Sequence, residues 1–145
     1  MGVLFHVAFP MKNMEETKRF YMDGLGCVLG RESKVALTLN LQGHQIVAQM
    51  TTESVEQPRS IYPRHFGLVF TTKDEWQAMV DRAKDKKLSF FKEPHTRFAG
   101  SPLEHHTFFL EDPAHNLLEF KHYSKESAIF GEREFDDVGD ADEPR

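Results

Sequence analysis

The sequence predicts an α+β fold made of two βαβββ modules, because one pattern of residues occurs twice along the chain. His6 and His65, each in a strand-like segment, are separated by 59 residues. Asn13 and Thr72, each suited to a helix N-cap, keep the same separation, and so do the glutamates three residues after each cap. Coincidences at a single offset are not expected from composition alone. They indicate an internal repeat.

Module one is predicted to span residues 3–51. Residues 5–9 form an apolar strand, and the helix that begins after Asn13 ends at Gly24 and Gly26. Two further strand-like segments follow, and they are joined by a short turn at Gly43. These segments are residues 35–41 and 45–50. We interpret this order of elements as a βαβββ unit, one strand of which is not assigned to particular residues.

Module two is predicted to span residues 63–124 and to repeat this order. Its first strand covers residues 64–70, and its helix has one apolar face at helical spacing, formed by Trp76, Met79, Val80 and Ala83. Its last two strands cover residues 106–110 and 116–121. His44 and His115 match at an offset of 71, so module two has about a dozen extra residues. We assign them to a long hairpin loop over 92–104, and we interpret residues 51–63 as the linker between the modules.

The charge is concentrated at the C-terminus. Residues 131–145 hold seven of the 23 acidic residues and two of the 18 basic ones, so this tail carries the whole net charge of −5. We expect one domain over residues 1–130 and a disordered acidic tail over 131–145. The neutral body lacks a basic stripe, which argues against nucleic acid as a partner. No apolar run approaches the roughly 18–20 residues of a membrane span. The lone Cys27 fits a cytoplasmic, reducing compartment.

Three residues form a candidate metal site. The repeat places His6 and His65 at equivalent points, and Glu119 is a single acid within an apolar strand, where a buried carboxylate needs a cation. The position of module one that matches Glu119 is Ala48, which cannot bind a metal, and Gln49 would need a register slip. Two histidines and one carboxylate form a facial triad, which suits Fe(II) and also accepts Mn, Zn, Ni or Co.

These residues resemble the vicinal oxygen chelate superfamily, which includes glyoxalase I, extradiol dioxygenases, fosfomycin-resistance transferases and bleomycin-binding proteins. The resemblance covers roughly residues 3–124. Its markers are Phe5-His6-Val7-Ala8, Phe20-Tyr21-x-x-x-Leu25-Gly26, Arg64-His65-Phe66-Gly67 and Asp112-Pro113-x-x-Asn116-x-x-Glu119. The resemblance implies a cup-shaped mixed sheet around one metal site, a small-molecule substrate that chelates the metal through vicinal oxygens, and a homodimer. The modules would pair within one chain or across that dimer.

Departures from the family pattern bear on the reaction. Glyoxalase I-like sites use a fourth protein ligand, which Ala48 removes, so a three-ligand reaction such as Fe(II)-dependent dioxygenation of a catechol-like compound is favoured. Extradiol enzymes, however, carry a tyrosine where this chain has Phe109. His105 shares the face of Phe109 by strand parity, and Tyr123 shares the parity of Glu119, so these two are the candidate catalytic residues.

Alternative functions and one further substrate contact stay open. Arg97 and Phe98 could hold a flat anionic substrate. The alternative functions are a glyoxalase I-like lyase or isomerase, a fosfomycin-type thiol transferase and a non-catalytic binding protein of the bleomycin-resistance type.

Overall fold

A computed structural model describes residues 2–145 and contains the βαβββ order twice. The first copy consists of β1 (His6–Met11), α1 (Met14–Lys18) continued by a π-helical turn (Arg19–Gly24), β2 (Val28–Glu32), β3 (Ala36–Leu41) and β4 (His44–Met50). The second consists of β5 (Phe66–Val69), α2 (Lys73–Asp85), β6 (Phe90–Arg97), β7 (His105–Glu111) and β8 (Leu117–Tyr123). A short 3₁₀ turn, Glu126–Ala128, follows. The predicted two-module fold is confirmed.

Each module builds its own four-stranded mixed sheet. The strand orders are β1-β4-β3-β2 and β5-β8-β7-β6. In both sheets the first strand of the module lies parallel to the last, as β1 does to β4 and β5 does to β8. This pairing sets the register of the strands that carry the candidate metal ligands.

The chain divides into two compact units whose boundaries differ from those of the modules. One unit contains residues up to 57 together with Arg82–Ser89 and Glu111–Asn116, and the other contains Pro58–Asp81, Phe90–Leu110 and Leu117–Arg145. The first unit has its own core around Tyr21, Leu37, Leu39 and Ala48. The second has one around Phe108, Phe120 and Leu118. The proposed single domain over residues 1–130 stays a prediction.

Two strands differ from the sequence interpretation. β6 runs over Phe90–Arg97, so residues 92–97 of the segment assigned to a long loop, His95 included, are strand. β2 lies in a stretch to which we assigned no element. Both are terminal strands in the order of their sheets, and most of their side chains are exposed or half-buried. Such strands lack the apolar alternation that indicates a strand with one buried face.

The acidic tail forms no helix or strand but makes defined contacts within the second unit. The Asp140 amide donates to the Tyr62 hydroxyl at 2.7 Å, and Glu143 forms an ion pair with Lys92 at 2.9 Å. These contacts differ from the disorder that the composition of residues 131–145 predicts. Within residues 2–145, no helix is both long and apolar enough to cross a membrane.

Candidate metal centre

The site is built around the side chains of His65 and Glu119. Glu119 lies on β8 with 7% of its surface exposed, and its Cα pairs with that of Gly67 on β5. A Cβ at Gly67 would stand 1.7 Å from the Glu119 carbonyl oxygen, so only glycine permits this approach of the strands. The close approach brings His65, immediately before β5, beside Glu119. His65 Nε2 and Glu119 Oε1 are 3.1 Å apart.

Both side chains are oriented by a second hydrogen bond. His65 Nδ1 donates to the Ile61 carbonyl at 2.7 Å. Because a carbonyl only accepts, Nδ1 carries the proton, and Nε2 faces Glu119. The Thr107 hydroxyl donates to the other carboxylate oxygen, Glu119 Oε2, at 2.6 Å. Metal ligands in proteins are usually held by outer partners of this kind.

The electrostatics of the pair are those of a cation and a carboxylate. Burial disfavours the charged form of His65, but its hydrogen bonds to Glu119 and Ile61 outweigh burial and raise its pKa. Burial would likewise raise the pKa of Glu119, but the hydrogen bond from His65, the charge of Lys121 and the hydrogen bond from Thr107 hold it below its usual value. The raised pKa of His65 and the lowered pKa of Glu119 both favour the charged form of each partner.

The geometry of the pair fits a divalent metal. Two ligands about 2.1 Å from one ion, and about 90° apart around it, are separated by about 3 Å. The measured separation of Nε2 and Oε1 is 3.1 Å. Lys121 Nζ lies 3.8 Å from the same carboxylate oxygen. A metal would take the place of the proton between imidazole and carboxylate.

His6, the third predicted ligand, belongs to the first unit. It is exposed on β1, and its Nδ1 donates to Gln45 Oε1 at 2.7 Å, with Gln45 directly opposite on β4. This bond leaves the neutral ring of His6 with its lone pair on Nε2. Among residues 2–145, no group of three or more His, Cys, Asp or Glu side chains is arranged to hold a metal ion. The structure thus brings together His65 and Glu119 but not all three ligands.

The strand register corrects the position that corresponds to Glu119 in module one. Gly67, two residues after His65, pairs with Glu119, whereas Ala8, two residues after His6, pairs with Val47 and not with Ala48. Ala48 is fully buried. Valine cannot bind a metal either, so this position still offers no fourth ligand. Gln49 shares the strand parity of Val47, so no register slip is needed to put it on the face of His6.

His105 and Tyr123, the two candidate catalytic residues, lie together in the second unit. Their ring centroids are 4.9 Å apart. Both residues line a cavity of about 610 Å³ that His65, Glu119 and Phe109 also line. The structure therefore brings four of the five predicted site residues to one cavity.

The state of His105 suits a proton acceptor. His105 is 6% exposed, and burial lowers its pKa, although its hydrogen bond to the Leu103 carbonyl opposes that effect. Its Nδ1 donates to this carbonyl at 3.1 Å, so the neutral ring keeps a lone pair on Nε2.

Phe109 and Arg97 shape the same cavity. Phe109 makes an edge-to-face contact with His65, with ring centroids 5.1 Å apart, and it is almost fully buried. Arg97 donates to the Tyr62 hydroxyl at 3.1 Å and lies over the Phe98 ring. The face shared by Phe109, Thr107 and His105 is thus the face that carries the site.

The residues that sequence reasoning missed are those that orient the ligands. Thr107 shares the strand parity of His105 and Phe109, but its bond to Glu119 depends on the pairing of β7 with β8. Gln45, Ile61 and Gly67 act through strand register or a backbone carbonyl, and no spacing along the chain reveals either. A glycine inside a strand was the available signal, because such a residue often marks a close backbone approach.

Comparisons with known proteins agree with this fold. The family model of the glyoxalase/bleomycin resistance protein/dioxygenase superfamily matches residues 3–120. A protein of that description from Alicyclobacillus acidocaldarius has 36% sequence identity and a TM-score of 0.85, over 89% of this chain and 97% of that chain. No curated protein sequence matches.

Two more distant structures share the fold. The fosfomycin resistance protein FosX from Listeria monocytogenes has 16% identity and a TM-score of 0.67, over 88% of this chain and 98% of that one. An integron cassette protein from the mobile metagenome of Halifax Harbour Sewage Outfall has 24% identity and a TM-score of 0.63, over 84% and 99%. The chain has the two-module βαβββ fold of these proteins, and it belongs to the glyoxalase/bleomycin resistance protein/dioxygenase superfamily.

Proposed function

We propose that the protein is a divalent-metal-dependent enzyme whose metal ligands are His6, His65 and Glu119. The observation that carries this proposal is the His65–Glu119 pair, at 3.1 Å, with each side chain fixed by a second hydrogen bond. The matching Nδ1 bond of His6 to Gln45 supports the third ligand. Two imidazoles and one carboxylate favour Fe(II), with Mn, Ni, Zn or Co as further candidates.

The reaction we favour is the dioxygenation of a catechol-like compound that chelates the metal through vicinal oxygens. A bound metal would act as a Lewis acid or as an oxygen-activating centre, and a three-ligand site leaves about three positions free on an octahedral ion. The absence of a ligand at Val47 and Ala48 supports this reaction over a four-ligand isomerase site. Superfamily membership supports the metalloenzyme class but is shared by all the alternatives.

His105 is proposed as the residue that accepts and returns the proton of the substrate hydroxyl. Its ring is neutral, its Nδ1 proton is held by Leu103, and it lines the same cavity as Glu119. Tyr123 lies beside it and would donate a hydrogen bond to the substrate or relay the proton. Phe109 has no hydroxyl, so it contributes an apolar wall and no proton transfer.

Metal binding by a Glu119→Ala variant tests the site. We expect stoichiometric binding of Fe(II) or Mn(II), measured by anaerobic calorimetry, to disappear, because removal of one ligand leaves only imidazoles. Glu111→Ala is the matched control, since Glu111 is also an acid next to a histidine but belongs to the other unit. Undiminished binding by Glu119→Ala would contradict the ligand assignment.

Oxygen uptake by the Fe(II) form, screened over catechols, tests the reaction. For a compound that supports oxygen uptake, His105→Gln should lower the turnover number about 10²–10⁴-fold at unchanged metal content. This is the range of rate enhancement that general acid–base catalysis contributes. A glyoxalase I-like activity would appear instead as isomerisation of the methylglyoxal–glutathione adduct without oxygen uptake. Tight binding of small molecules without turnover would identify a binding protein of the bleomycin-resistance type.

The assembly we propose is a cytoplasmic homodimer. Cys27 is a buried free thiol, which suits a reducing compartment.

A mixture of His6→Ala and Glu119→Ala chains decides which chain supplies His6. If the site forms across the dimer, subunit exchange restores about a quarter of the sites, because each mixed C2 dimer holds one intact set. No recovery, with exchange verified by native mass spectrometry, would place the whole set in one chain. A monomer in light scattering would refute the dimer.

A further inference from the structure

The cavity of the second unit is lined in part by residues near the C-terminus. Nine residues of 129–145, here called the C-terminal segment, line it together with His65, Glu119 and His105. The segment presents apolar side chains there: Ile129, Phe130, Phe135 and Val138. Phe130 and Val138 are 95% and 89% exposed, respectively, so no protein side chain covers them. Large apolar groups at the rim of a pocket are available to contact a ligand.

Tyr62 holds the segment against the wall of the cavity. Its hydroxyl accepts hydrogen bonds from the Asp140 amide at 2.7 Å and from Arg97 at 3.1 Å, and the Arg145 guanidinium lies 4.3 Å above its ring. Arg97 itself lines the cavity. One tyrosine therefore links a cavity residue of β6 to two points of the segment.

Gly139 fits this contact closely. Its φ of +72° lies in the left-handed region that favours glycine, and a Cβ would stand 2.5 Å from the Tyr62 hydroxyl oxygen. Alanine at this position would be strained and would also collide with the hydroxyl. The segment therefore has a glycine at the point where it passes over Tyr62.

Glu143 provides a second attachment. Its carboxylate pairs with Lys92 at 2.9 Å and accepts a hydrogen bond from the Ser60 hydroxyl at 3.1 Å. Lys92 is on β6, and Ser60 immediately precedes Ile61, a cavity residue. Glu143 lies between Asp140 and Arg145, the two points of the segment that contact Tyr62.

We propose that the C-terminal segment is the outer wall of the ligand site, covering His105 and selecting ligands that carry an apolar body beyond their chelating oxygens. The part of this inference that concerns ligands rests on the proposed metal site. The part that concerns the wall does not, since the attachments at Tyr62, Lys92 and Ser60 involve no proposed metal ligand.

Chemical footprinting of histidines in the full chain tests the wall without metal or substrate. Diethyl pyrocarbonate modifies accessible neutral imidazoles, and His105, which lines the same cavity as the segment, is 6% exposed. Gly139→Ala and Glu143→Gln should each raise the modification rate of His105 several-fold relative to His44, which lies in the other unit. Glu134→Gln removes the same charge from an exposed residue of the segment and should leave the rate unchanged. Equal rates in all four proteins would overturn the proposal.

Ligand preference tests selection. Catechol and 4-tert-butylcatechol are titrated into the Mn(II)-loaded full-length protein, and the wild type should bind the substituted compound at least about tenfold more tightly, equivalent to about 1.4 kcal/mol. The double variant Phe135→Ser/Val138→Ser should lose most of that preference while binding Mn(II) normally. An unchanged preference would overturn the selective role. If neither catechol binds to wild type, the proposed function and the selective role both fail, and the footprinting result still decides whether the wall exists.

Discussion

At the scale of single residues, the second hydrogen bond of each ligand orients that ligand and so contributes to metal affinity. Thr107→Val removes the donor to Glu119 Oε2 and keeps the shape of the side chain. We expect Mn(II) affinity, measured by calorimetry, to fall about 10–100-fold, the usual effect of losing an outer partner. Thr96→Val, at a threonine of neighbouring β6 that bonds to His106, is the matched control. An unchanged affinity for Thr107→Val would show that Thr107 does not position the carboxylate.

A second residue-scale feature is the buried pair of Tyr21 and Asp112 in the first unit. Tyr21 is fully buried, and its hydroxyl donates to Asp112 Oδ2 at 2.6 Å. Asp112 also accepts hydrogen bonds from the Asn116 side chain and from the Ala114 and Asn116 amides. Burial raises the pKa of Asp112, and these hydrogen bonds oppose that rise. The hydrogen bonds therefore favour the charged form of this buried carboxyl group, whereas burial favours the neutral form.

Tyr21→Phe should lower the free energy of unfolding by about 1.5–3 kcal/mol in urea melts at pH 7, the worth of a hydrogen bond to a charged group. The variant raises the folded-state pKa of Asp112 further above its unfolded value. The loss should therefore grow as pH rises through that pKa and shrink below the unfolded value, where the carboxyl is neutral in both states. A double-mutant cycle with Asp112→Asn isolates the pair. A pH-independent loss would assign the effect to packing alone.

At the scale of elements, Gly67 shows how a single strand contact supports the site. Gly67→Ala places a Cβ 1.7 Å from the Glu119 carbonyl oxygen, so β5 must move away from β8. We expect a stability loss of about 1–3 kcal/mol or more, typical of overpacking, together with weaker Mn(II) binding. Gly30→Ala on β2 is the control, because its Cβ would come no closer than 3.3 Å to Thr38. Normal stability and metal binding in Gly67→Ala would contradict the close approach.

The elements also show where sequence reasoning succeeds. Strands β3, β4, β7 and β8 bury most of one face or both, and their apolar runs predicted them within one or two residues. β2 and β6 are the last strands of their sheets. Because most of their side chains are exposed or half-buried, their sequences lack the apolar pattern that predicts a strand. The match between Glu119 and module one was misplaced by one residue, because inserted turns change the offset between repeats. Only the pairing of β1 with β4, in which Ala8 lies opposite Val47, identifies the position that matches Glu119.

At the scale of the whole molecule, the location of charge separates the body from the segment that ends the chain. The body is neutral, and residues 131–145 hold the net charge of −5. A segment rich in acids and poor in apolar residues is predicted to be solvated. Composition does not reveal contacts with single residues such as Tyr62 or Lys92, because the positions of these partners depend on the folded second unit.

Removal of residues 131–145 should therefore affect ligand binding far more than stability. The Lys92 and Glu143 side chains are 34% and 24% exposed, and an ion pair of that kind contributes about 0–1 kcal/mol. With the Tyr62 hydrogen bond added, the loss should stay near 1–2 kcal/mol, which lowers the melting temperature by only a few degrees. Mn(II) affinity should not change, because the truncation leaves His6, His65, Glu119 and their hydrogen-bond partners intact.

Calorimetric melts and Mn(II) titrations of a chain ending at Phe130 check this expectation, with Glu134→Gln as the control for charge. The stability difference from the full chain should shrink in high salt, since the screened Lys92–Glu143 pair is part of it. A fall in melting temperature of much more than a few degrees, or loss of Mn(II) binding, would mean that the segment belongs to the core of the second unit. Its role at the cavity could then not be separated from folding.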